Sequence, residues 1–431
     1  MNSSTDAPLR APAFREALRF WFVLGCISFG GPAGQIAVMH TELVDKRRWI
    51  DEVSFMRALN FCMLLPGPEA MQLATWLGWR LHGTRGGIVA GALFVLPGAA
   101  VLAALAWAYL EYGQSQIAIG VVFGLQAAVL GIIVYAARKI GGRVLRAPMA
   151  YVLAAAALGA IALGVPFPAV VGGAALAGLA AWRWRPAWIL QTAPPAVDVV
   201  QRPPGSAALR FAGTSIAVLL VWWLPLLALR PWLGADSTAY EMGLFFSKAA
   251  LVTFGGAYAV LPYVADQAVQ QHGWITAEQM MAGLGLAETT PGPLVLVLEF
   301  VGFVGGWQSP DLASPLASAL LGAAVAVWAT FLPSFLFVLA AAPWIDRVGQ
   351  SQVASAALTA VTAAVVGVIA HLGLWFGYAL FAARPLSASI VALLIAVTVF
   401  VGLSRWHWPI AWTVVGAAVA GALTHGLIGV A

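Results

Sequence analysis

The chain has 431 residues, of which 61% are hydrophobic and only 9% charged, and its mean hydropathy is +0.89. Soluble domains carry about 25% charged residues, so this composition excludes a soluble globular protein and predicts an all-α polytopic membrane protein. The net charge of +5 does not indicate nucleic-acid binding, because the basic residues stand at the ends of apolar runs, where membrane orientation explains them.

The N-terminal residues and the two cysteines exclude further classes. Arg10, Arg15 and Arg19 are not followed by an apolar core with a cleavage site, so no removable signal peptide is predicted. Cys26 and Cys62 stand in apolar runs, and the sequence has neither a C-x-x-C motif nor a His-rich tract. No disulfide, metal site or cofactor is therefore expected.

The first two apolar segments are each interrupted by glycine and proline. One runs from about Phe14 to Val44 and breaks at Phe29-Gly30-Gly31-Pro32; the other runs from about Asp51 to Leu81 and breaks at Pro66-Gly67-Pro68. A proline inside a helix lacks an N–H and clashes with the preceding turn, whereas proline suits the first position of a new helix. Each break exposes a helix N-terminus, which is tolerated at membrane depth only inside the protein or at a cavity.

Unbroken apolar segments follow the two broken ones. They cover about 87–110 and 116–137, and two more divide the run 148–182 near Gly164. The proline-rich stretch 183–208 reads as a linker outside the bilayer. We therefore predict an N-terminal domain of residues 1–182 and a C-terminal domain of residues 209–431, with an extra span at about 209–229 in front of the second copy.

The pattern of the first domain recurs in the second at an offset of 225 residues. Phe254-Gly255-Gly256 corresponds to Phe29-Gly30-Gly31, Trp274-Ile275 to Trp49-Ile50, and Pro291-Gly292-Pro293 to Pro66-Gly67-Pro68. No gap is needed between the motifs, so the sequence contains a strong internal repeat. Paired interruptions in corresponding positions of two halves are the best sequence pointer to a transporter's substrate site.

Span counting and charge predict how the two copies are oriented. An odd number of segments separates the two starts whether the broken segments cross the membrane or fold back, so we expect inverted-topology repeats. Arg138, Lys139, Arg143 and the N-terminal arginines fall on one side, which should be cytoplasmic. The cluster Lys46-Arg47-Arg48 joins them only if the first broken segment folds back, which favours broken or re-entrant segments.

The motifs resemble those of the chromate ion transporter family. The resemblance rests on SFGGPAGQIAVMHTELVDKRRWI, LNFCMLLPGPEAMQLATWLGW and LFVLPG in the first half, and on KAALVTFGGAYAVLPYVADQAV and GLGLAETTPGPLVLVLEFVGF in the second. The order and spacing are similar to those of its long-chain, two-domain members. Membership implies a multi-pass protein of the prokaryotic inner membrane, with a cytoplasmic N-terminus, that exports chromate and gives chromate resistance, with sulfate as a related oxyanion. Ala257 departs from the motif at the position of Pro32.

A tetrahedral dianion needs several N–H or O–H donors and positive potential, which a helix N-terminus supplies. The glycines of the breaks allow close approach of the backbone, hydroxyls and amides nearby add donors, and a lysine adds charge. The alternative is that these residues are hinges, helix caps, packing groups or a snorkelling lysine. The substrate-binding candidates are Gly30, Gly31, Gln35, Pro66, Gly67, Pro68, Gln72, Lys248, Gly255, Gly256, Thr289, Thr290, Pro291, Gly292 and Pro293.

Ionisable residues in apolar stretches are candidates for proton coupling or charge pairing. Glu69 stands in the first turn of a predicted helix, where the dipole stabilises its charge, and Glu288 stands in the last turn before the second triplet. This placement makes Glu288 the better proton carrier and Glu69 the fixed charge. The full set of candidates is Glu69, Glu288, Glu299, Arg57 and His40.

Other functions remain open at this point. The chain can be a transporter of sulfate or another anion, an intramembrane enzyme, or a photoreceptor that uses Lys248 for a Schiff base. Walker A, H-E-x-x-H and G-x-S-x-G motifs are absent, which argues against an ATPase and against hydrolytic enzymes. The expected partners are chromate or sulfate and the lipid bilayer, and a homodimer is one option for its assembly.

Overall fold

The computed structural model describes residues 12–185, 188–189, 205–254, 256–342, 352–382 and 384–428. All regular secondary structure in these ranges is helical, which confirms the predicted all-α class. Six helices are long and apolar enough to cross a membrane by length and composition: Glu69–Tyr112, Gln116–Val144, Ala212–Leu233, Pro315–Ala341, Val353–Phe381 and Leu386–Arg405.

The same order of helices occurs twice, with one extra helix between the two copies, and the fourth helix of the first copy corresponds to the fourth and fifth helices of the second. The first copy comprises α1 (Phe14–Ile27), α2 (Gly31–His40), α3 (Glu52–Cys62), α4 (Glu69–Tyr112), α5 (Gln116–Val144), α6 (Pro148–Ala162) and α7 (Phe167–Trp184). The extra helix is α8 (Gly205–Leu233). The second copy comprises α9 (Thr238–Val252), α10 (Ala257–Asp266), α11 (Ala277–Thr289), α12 (Val297–Gln308), α13 (Pro315–Ala341), α14 (Gln352–Phe381), α15 (Leu386–Arg405) and α16 (Ile410–Ile428).

The helix breaks fall at the predicted motifs. Residues 28–30 separate α1 from α2, and residues 63–68 separate α3 from α4. Gly30 and Gly67 adopt φ angles of 91° and 118°, a conformation that residues with a Cβ rarely adopt. Glycine is therefore what allows the chain to leave one helix and start the next within a few residues.

Helix α4 joins two predicted segments, because its helical geometry is interrupted only at His82 and Gly83. The two arms pack against each other, since a Cβ on Gly78 would lie 2.4 Å from the carbonyl oxygen of Gly86. The chain thus reverses direction at this interruption. The predicted linker lies largely outside the described residues, and α8 already begins at Gly205, ahead of the predicted boundary at 208.

Both broken segments of the first half fold back on themselves. The Arg47 guanidinium, in the loop after α2, lies 5.0 Å from the centre of the Phe20 ring on α1. His82, where the first arm of α4 ends, has its Nε2 3.0 Å from the carbonyl oxygen of Pro12, just before α1. The first segment therefore runs one way in α1 and back in α2, and the second runs one way in α3 and back in the first arm of α4. This is the folded-back arrangement that the charge pattern favours.

The two halves are interleaved through their long helices. Helix α5 packs against α15 and α16 of the second half, and α14 packs against α6 and α7 of the first. Glycines allow this close approach: a Cβ on Gly131 would lie 2.4 Å from the Ala396 carbonyl oxygen, and one on Gly367 would lie 1.9 Å from that of Ala154. Small residues at such contacts are typical of helix packing in membranes.

Candidate anion-binding cavity

The breaks of one half are held by the breaks of the other. The Gly67 N–H donates to the Thr253 carbonyl oxygen at 2.8 Å, and the Gly292 N–H donates to the Ser28 carbonyl oxygen at 2.9 Å. Gly292 is the repeat equivalent of Gly67, and Ser28 is that of Thr253. Each half therefore donates one of the two bonds and accepts the other. The predicted interruptions therefore meet at one place in the interior of the protein.

Two buried glutamines connect these breaks. Gln35 Nε2 donates to the carbonyl oxygens of Gly292 at 2.6 Å and Ser28 at 3.2 Å. Gln72 Nε2 donates to the Pro66 carbonyl oxygen at 2.7 Å and contacts Ser334 Oγ at 3.4 Å. The amide groups of both glutamines thus serve the protein's own backbone, and neither side-chain oxygen has a hydrogen-bond partner among the described residues.

A cavity of about 350 Å³ reaches the junction of the breaks. Its volume is at the lower end of ordinary ligand pockets, about 300–1,000 Å³. Three helices begin at its wall: α2 at Gly31, α10 at Ala257 and α4 at Glu69. Their free N–H groups and dipoles supply positive potential without a buried cation.

Two cations stand on one helix of the cavity wall. Lys139 and Arg143 lie four residues apart on α5, so their side chains point the same way. Both are exposed, and the Lys139 ammonium lies 5.3 Å from the centre of the Tyr135 ring. Neither forms an ion pair in the part of the chain that the structure describes, so their charge is available to an anion.

Hydroxyl groups and one carboxylate complete the wall. Tyr135, Tyr258 and Thr362 line the cavity. Glu69 lines it as well, and its Oε1 would be 3.9 Å from a Cβ on Gly256. Glu69 thus stands between the starts of α4 and α10, where the helix dipoles stabilise a negative charge.

Two further carboxyl groups are buried near the breaks. Glu288 on α11 accepts a hydrogen bond from the Tyr258 hydroxyl, so it is one contact away from the cavity. Glu299 on α12 is also buried, and its Oε2 has no hydrogen-bond partner among the described residues. The predicted carboxylates therefore occupy three different environments, of which only that of Glu69 opens directly to the cavity.

Several predicted site residues lie away from the cavity. Lys248 and Arg57 are exposed and do not line it. His40 contacts Glu52 Oε2 at 2.6 Å and Asp45 Oδ2 at 3.3 Å, close to the α2–α3 loop. These contacts fit the alternative of surface or structural roles. Gly255 lies outside the described residues.

The second proline triplet is enclosed by protein. Pro291, Gly292 and Pro293 are buried, and a Cβ on Gly98 would lie 2.1 Å from the Pro291 carbonyl oxygen. The hydroxyls of Thr289 and Thr290 donate to the Leu286 carbonyl oxygen at 2.8 and 2.7 Å. In this conformation neither proline triplet lines the cavity, so the predicted ligands Pro66, Gly67 and Pro68 lie outside it as well. The breaks contribute Gly30, Gly31 and Glu69 of the first half and Gly256 and Ala257 of the second.

Sequence reasoning missed the residues that give the cavity its positive charge and its hydroxyl groups. Lys139 and Arg143 were explained by membrane orientation alone, and Tyr135, Tyr258 and Thr362 were not selected. A usable signal was present, because 135, 139 and 143 share one face of a helix. Tyr258 also stands directly after the second glycine motif and its Ala257.

A polytopic helical protein whose broken helices meet at a cavity has the architecture of a membrane transporter. The chain belongs to the chromate transporter family, whose sequence model matches residues 15–179 and 240–422. It is 30% identical over 423 residues to the chromate transport protein of Cupriavidus metallidurans, a match covering 97% of this chain and 95% of that protein. The chromate transport protein of Pseudomonas aeruginosa is 31% identical over 371 residues, covering 85% of this chain and 82% of that protein.

A probable chromate transport protein of Synechococcus elongatus is 30% identical, with 84% of each chain covered. No solved structure matches the chain. These matches confirm the resemblance drawn from the paired motifs. The chain is therefore a membrane transporter and not an enzyme, and chromate transport is the activity that its family supports.

Proposed function

We propose that this protein exports chromate from the cell through the cavity between its two halves. The observation that carries the proposal is that helix N-termini from both halves, at Gly31 and Ala257, reach one cavity whose wall carries Lys139 and Arg143. Relatives covering most of the chain carry the name chromate transport protein. Sulfate has the same charge and tetrahedral shape, so we expect it to compete for the same site.

The chemistry of the cavity suits a hydrated dianion. Backbone N–H groups at the helix starts and the hydroxyl of Tyr135 supply neutral donors to the anion. The hydroxyls of Tyr258 and Thr362 already donate to Glu288 and to the Leu358 carbonyl oxygen. Lys139 and Arg143 attract the anion from solution. Glu69 limits how tightly a dianion is held, because like charges repel at close range, and a transporter must release what it binds.

The halves are proposed to be inverted repeats. The exchanged hydrogen bonds of Gly67 with Thr253 and of Gly292 with Ser28 are the reciprocal contacts of two units around a two-fold axis. The start of α1 lies beside His82, at one end of the second arm of α4. The start of α11 lies by Gln126, in the first part of α5 and towards the other end, with Gln126 Nε2 3.1 Å from the Glu278 carbonyl oxygen. Helix α11 is the repeat equivalent of α3, and α3 starts at the same end as α1 because the loop before it lies against α1. Corresponding helices that start at opposite ends of the molecule support inversion.

The end that carries Lys139 and Arg143 is proposed to face the cytoplasm. Only residues 113–115 separate α4 from α5, so α5 runs back through the molecule and its last turns lie at the same end as His82 and the loop with Arg47. Positive residues collect on the cytoplasmic side of membrane proteins. The N-terminus is then cytoplasmic, the membrane is the prokaryotic inner membrane, and the cavity receives its anion from inside the cell.

The membrane potential is sufficient to drive this export. With the cell interior negative, expelling a dianion is favoured by about 4.6 kcal/mol per 100 mV, twice the value for one charge. At about 150 mV this sustains a concentration ratio on the order of a hundred-thousandfold, since about 1.4 kcal/mol corresponds to a factor of ten. Proton coupling through Glu288 then adjusts the charge moved per cycle and is not required for export.

The test is electrogenic flux in proteoliposomes that contain the purified protein at set pH and membrane potential. Chromate flux that rises with the potential and is inhibited by sulfate is the expected result. Sulfate flux without chromate flux would show that sulfate, and not chromate, is the transported anion. The absence of both fluxes from correctly inserted protein would refute the proposed transport function.

A further inference from the structure

The residues that line the cavity have equivalents in the other half of the chain. At the breaks the offset is 225 residues, so Ile36, Met63 and Glu69 correspond to Leu261, Glu288 and Leu294. Helices α5 and α14 align without a gap at an offset of 236, which pairs Gly131 with Gly367. These two glycines make matching contacts with α15 and α6, which supports the pairing.

Five of the equivalent positions are closed in this structure. Met63 is 45% exposed, whereas its equivalent Glu288 is 7% exposed. Ile36 and Glu69 are partly exposed, whereas Leu261 and Leu294 are buried. On the long helices, Ile140 and Val144 line the cavity, whereas their equivalents Phe376 and Leu380 are buried. Corresponding residues therefore have different environments in the two halves.

We propose that the transport cycle opens a second cavity at the opposite end of the molecule, lined by Leu261, Glu288, Leu294, Phe376 and Leu380, while the observed cavity closes. This inference rests on the proposed transport function and inverted arrangement. Two inverted repeats can exchange conformations, and the exchange presents a central site to the other side of the membrane. The repeat-equivalent residues then exchange their burial.

The second cavity has a different charge from the first. The positions of Lys139 and Arg143 are occupied by Trp375 and Ala379, and the position of Met63 by Glu288. Arg384 lies at this end, but its Nη2 donates to Gln126 Oε1 at 2.6 Å and its guanidinium lies 5.1 Å from the Phe123 ring. An anion is thus attracted at the end that carries two free cations and released at an end where these positions carry none and a carboxyl group is present.

Cysteine labelling from each side of the membrane tests this proposal. In a Cys26→Ser, Cys62→Ala background, Val144→Cys and its equivalent Leu380→Cys are treated with a membrane-impermeant thiol reagent in right-side-out and inside-out vesicles. Val144→Cys should react from the cytoplasmic side, and Leu380→Cys from the outside only. Minor states are commonly populated at about 0.1–10%, so the outside reaction should be about ten- to a thousandfold slower and still reach completion.

A second pair and a control keep the result unambiguous. Ile36→Cys should react from the cytoplasmic side and Leu261→Cys from the outside only. Ala363 lies on α14, as Leu380 does, and is fully buried, so Ala363→Cys should stay unlabelled from both sides. If both Leu380→Cys and Leu261→Cys stay unlabelled, or react from the cytoplasmic side, the second cavity is refuted. The labelling uses no chromate, so its outcome is separate from a failure of the substrate assignment.

Discussion

The hydroxyl of Tyr258 lines the cavity and donates a hydrogen bond to Oε1 of Glu288, a carboxyl group buried behind it. The two residues belong to α10 and α11, so the contact joins two breaks of the second half. The first half has Ala33 and Met63 at the equivalent positions, so it offers no such pair. The Tyr258 hydroxyl therefore links the cavity to the buried Glu288 carboxyl group by a hydrogen bond.

Glu288→Gln is expected to flatten the pH dependence of chromate flux, because an amide cannot take up and release a proton. Glu69→Gln is the matched comparison, since its carboxylate is predicted to act as a fixed charge at a helix start, and its loss should change the KM with the pH profile kept. Flux in proteoliposomes across a pH series measures both. Retention of the full wild-type pH dependence by Glu288→Gln would show that this residue is not a proton carrier.

Removing both cations from the cavity wall should weaken capture of the anion. Lys139→Gln combined with Arg143→Gln is expected to raise the KM for chromate about tenfold, since two exposed charge contacts are together worth on the order of one factor of ten. The increase should shrink at high salt. Arg138→Gln is the control, because Arg138 lies outside the cavity with its guanidinium 5.8 Å from the Phe400 ring. If Arg138→Gln raises the KM for chromate equally, Lys139 and Arg143 do not contact the anion at the site.

Joining α3 to α4 should abolish transport. Pro66→Ala with Pro68→Ala favours continuous helix, which removes the free N–H groups where α4 begins and the bond from the Gly67 N–H to the Thr253 carbonyl oxygen. Pro97→Ala is the control, because Pro97 lies inside α4 without breaking it. Wild-type chromate flux in the double variant, with normal amounts of protein in the membrane, would contradict the role of the break.

A side chain at Gly98 should loosen the contact between α4 and the second triplet. In Gly98→Ala the new methyl group would lie 2.1 Å from the Pro291 carbonyl oxygen, and overpacking of this kind costs about 1–3 kcal/mol. Gly142→Ala meets nothing within 4 Å and should stabilise α5 by about 0.5–1 kcal/mol. Thermal unfolding in detergent compares the two variants, and equal midpoints would contradict the close contact.

The breaks and the repeat were predictable because their causes are local. Pro66 cannot continue a helix, Gly30 and Gly67 supply backbone angles that other residues avoid, and the same letters return 225 residues later. The roles of Lys139, Arg143 and Lys248 were not predictable in this way. Whether such a residue faces the cavity or the outer surface depends on how α5 packs on α15 and α16 and how α9 is turned, and these contacts join residues far apart in sequence.

The two threonines before the second triplet show the same limit. Their sequence position suited either ligands or helix caps, and the structure gives their hydroxyls to the Leu286 carbonyl oxygen. The burial of Pro291 depends on Gly98, which stands nearly 200 residues earlier in the sequence. Local chemistry thus determined where the helices break, whereas distant packing determined which break meets the cavity.

The interleaving of the halves determines the order in which the protein is completed during synthesis. Helix α5 needs α15 and α16, which are made about 240 residues later, or roughly 10–50 s at 5–20 residues per second. Until then the glycine face of α5 is uncovered in the bilayer, and neither half is a finished unit. Two halves expressed as separate chains, divided between α7 and α8, should therefore accumulate and co-purify only when they are produced together.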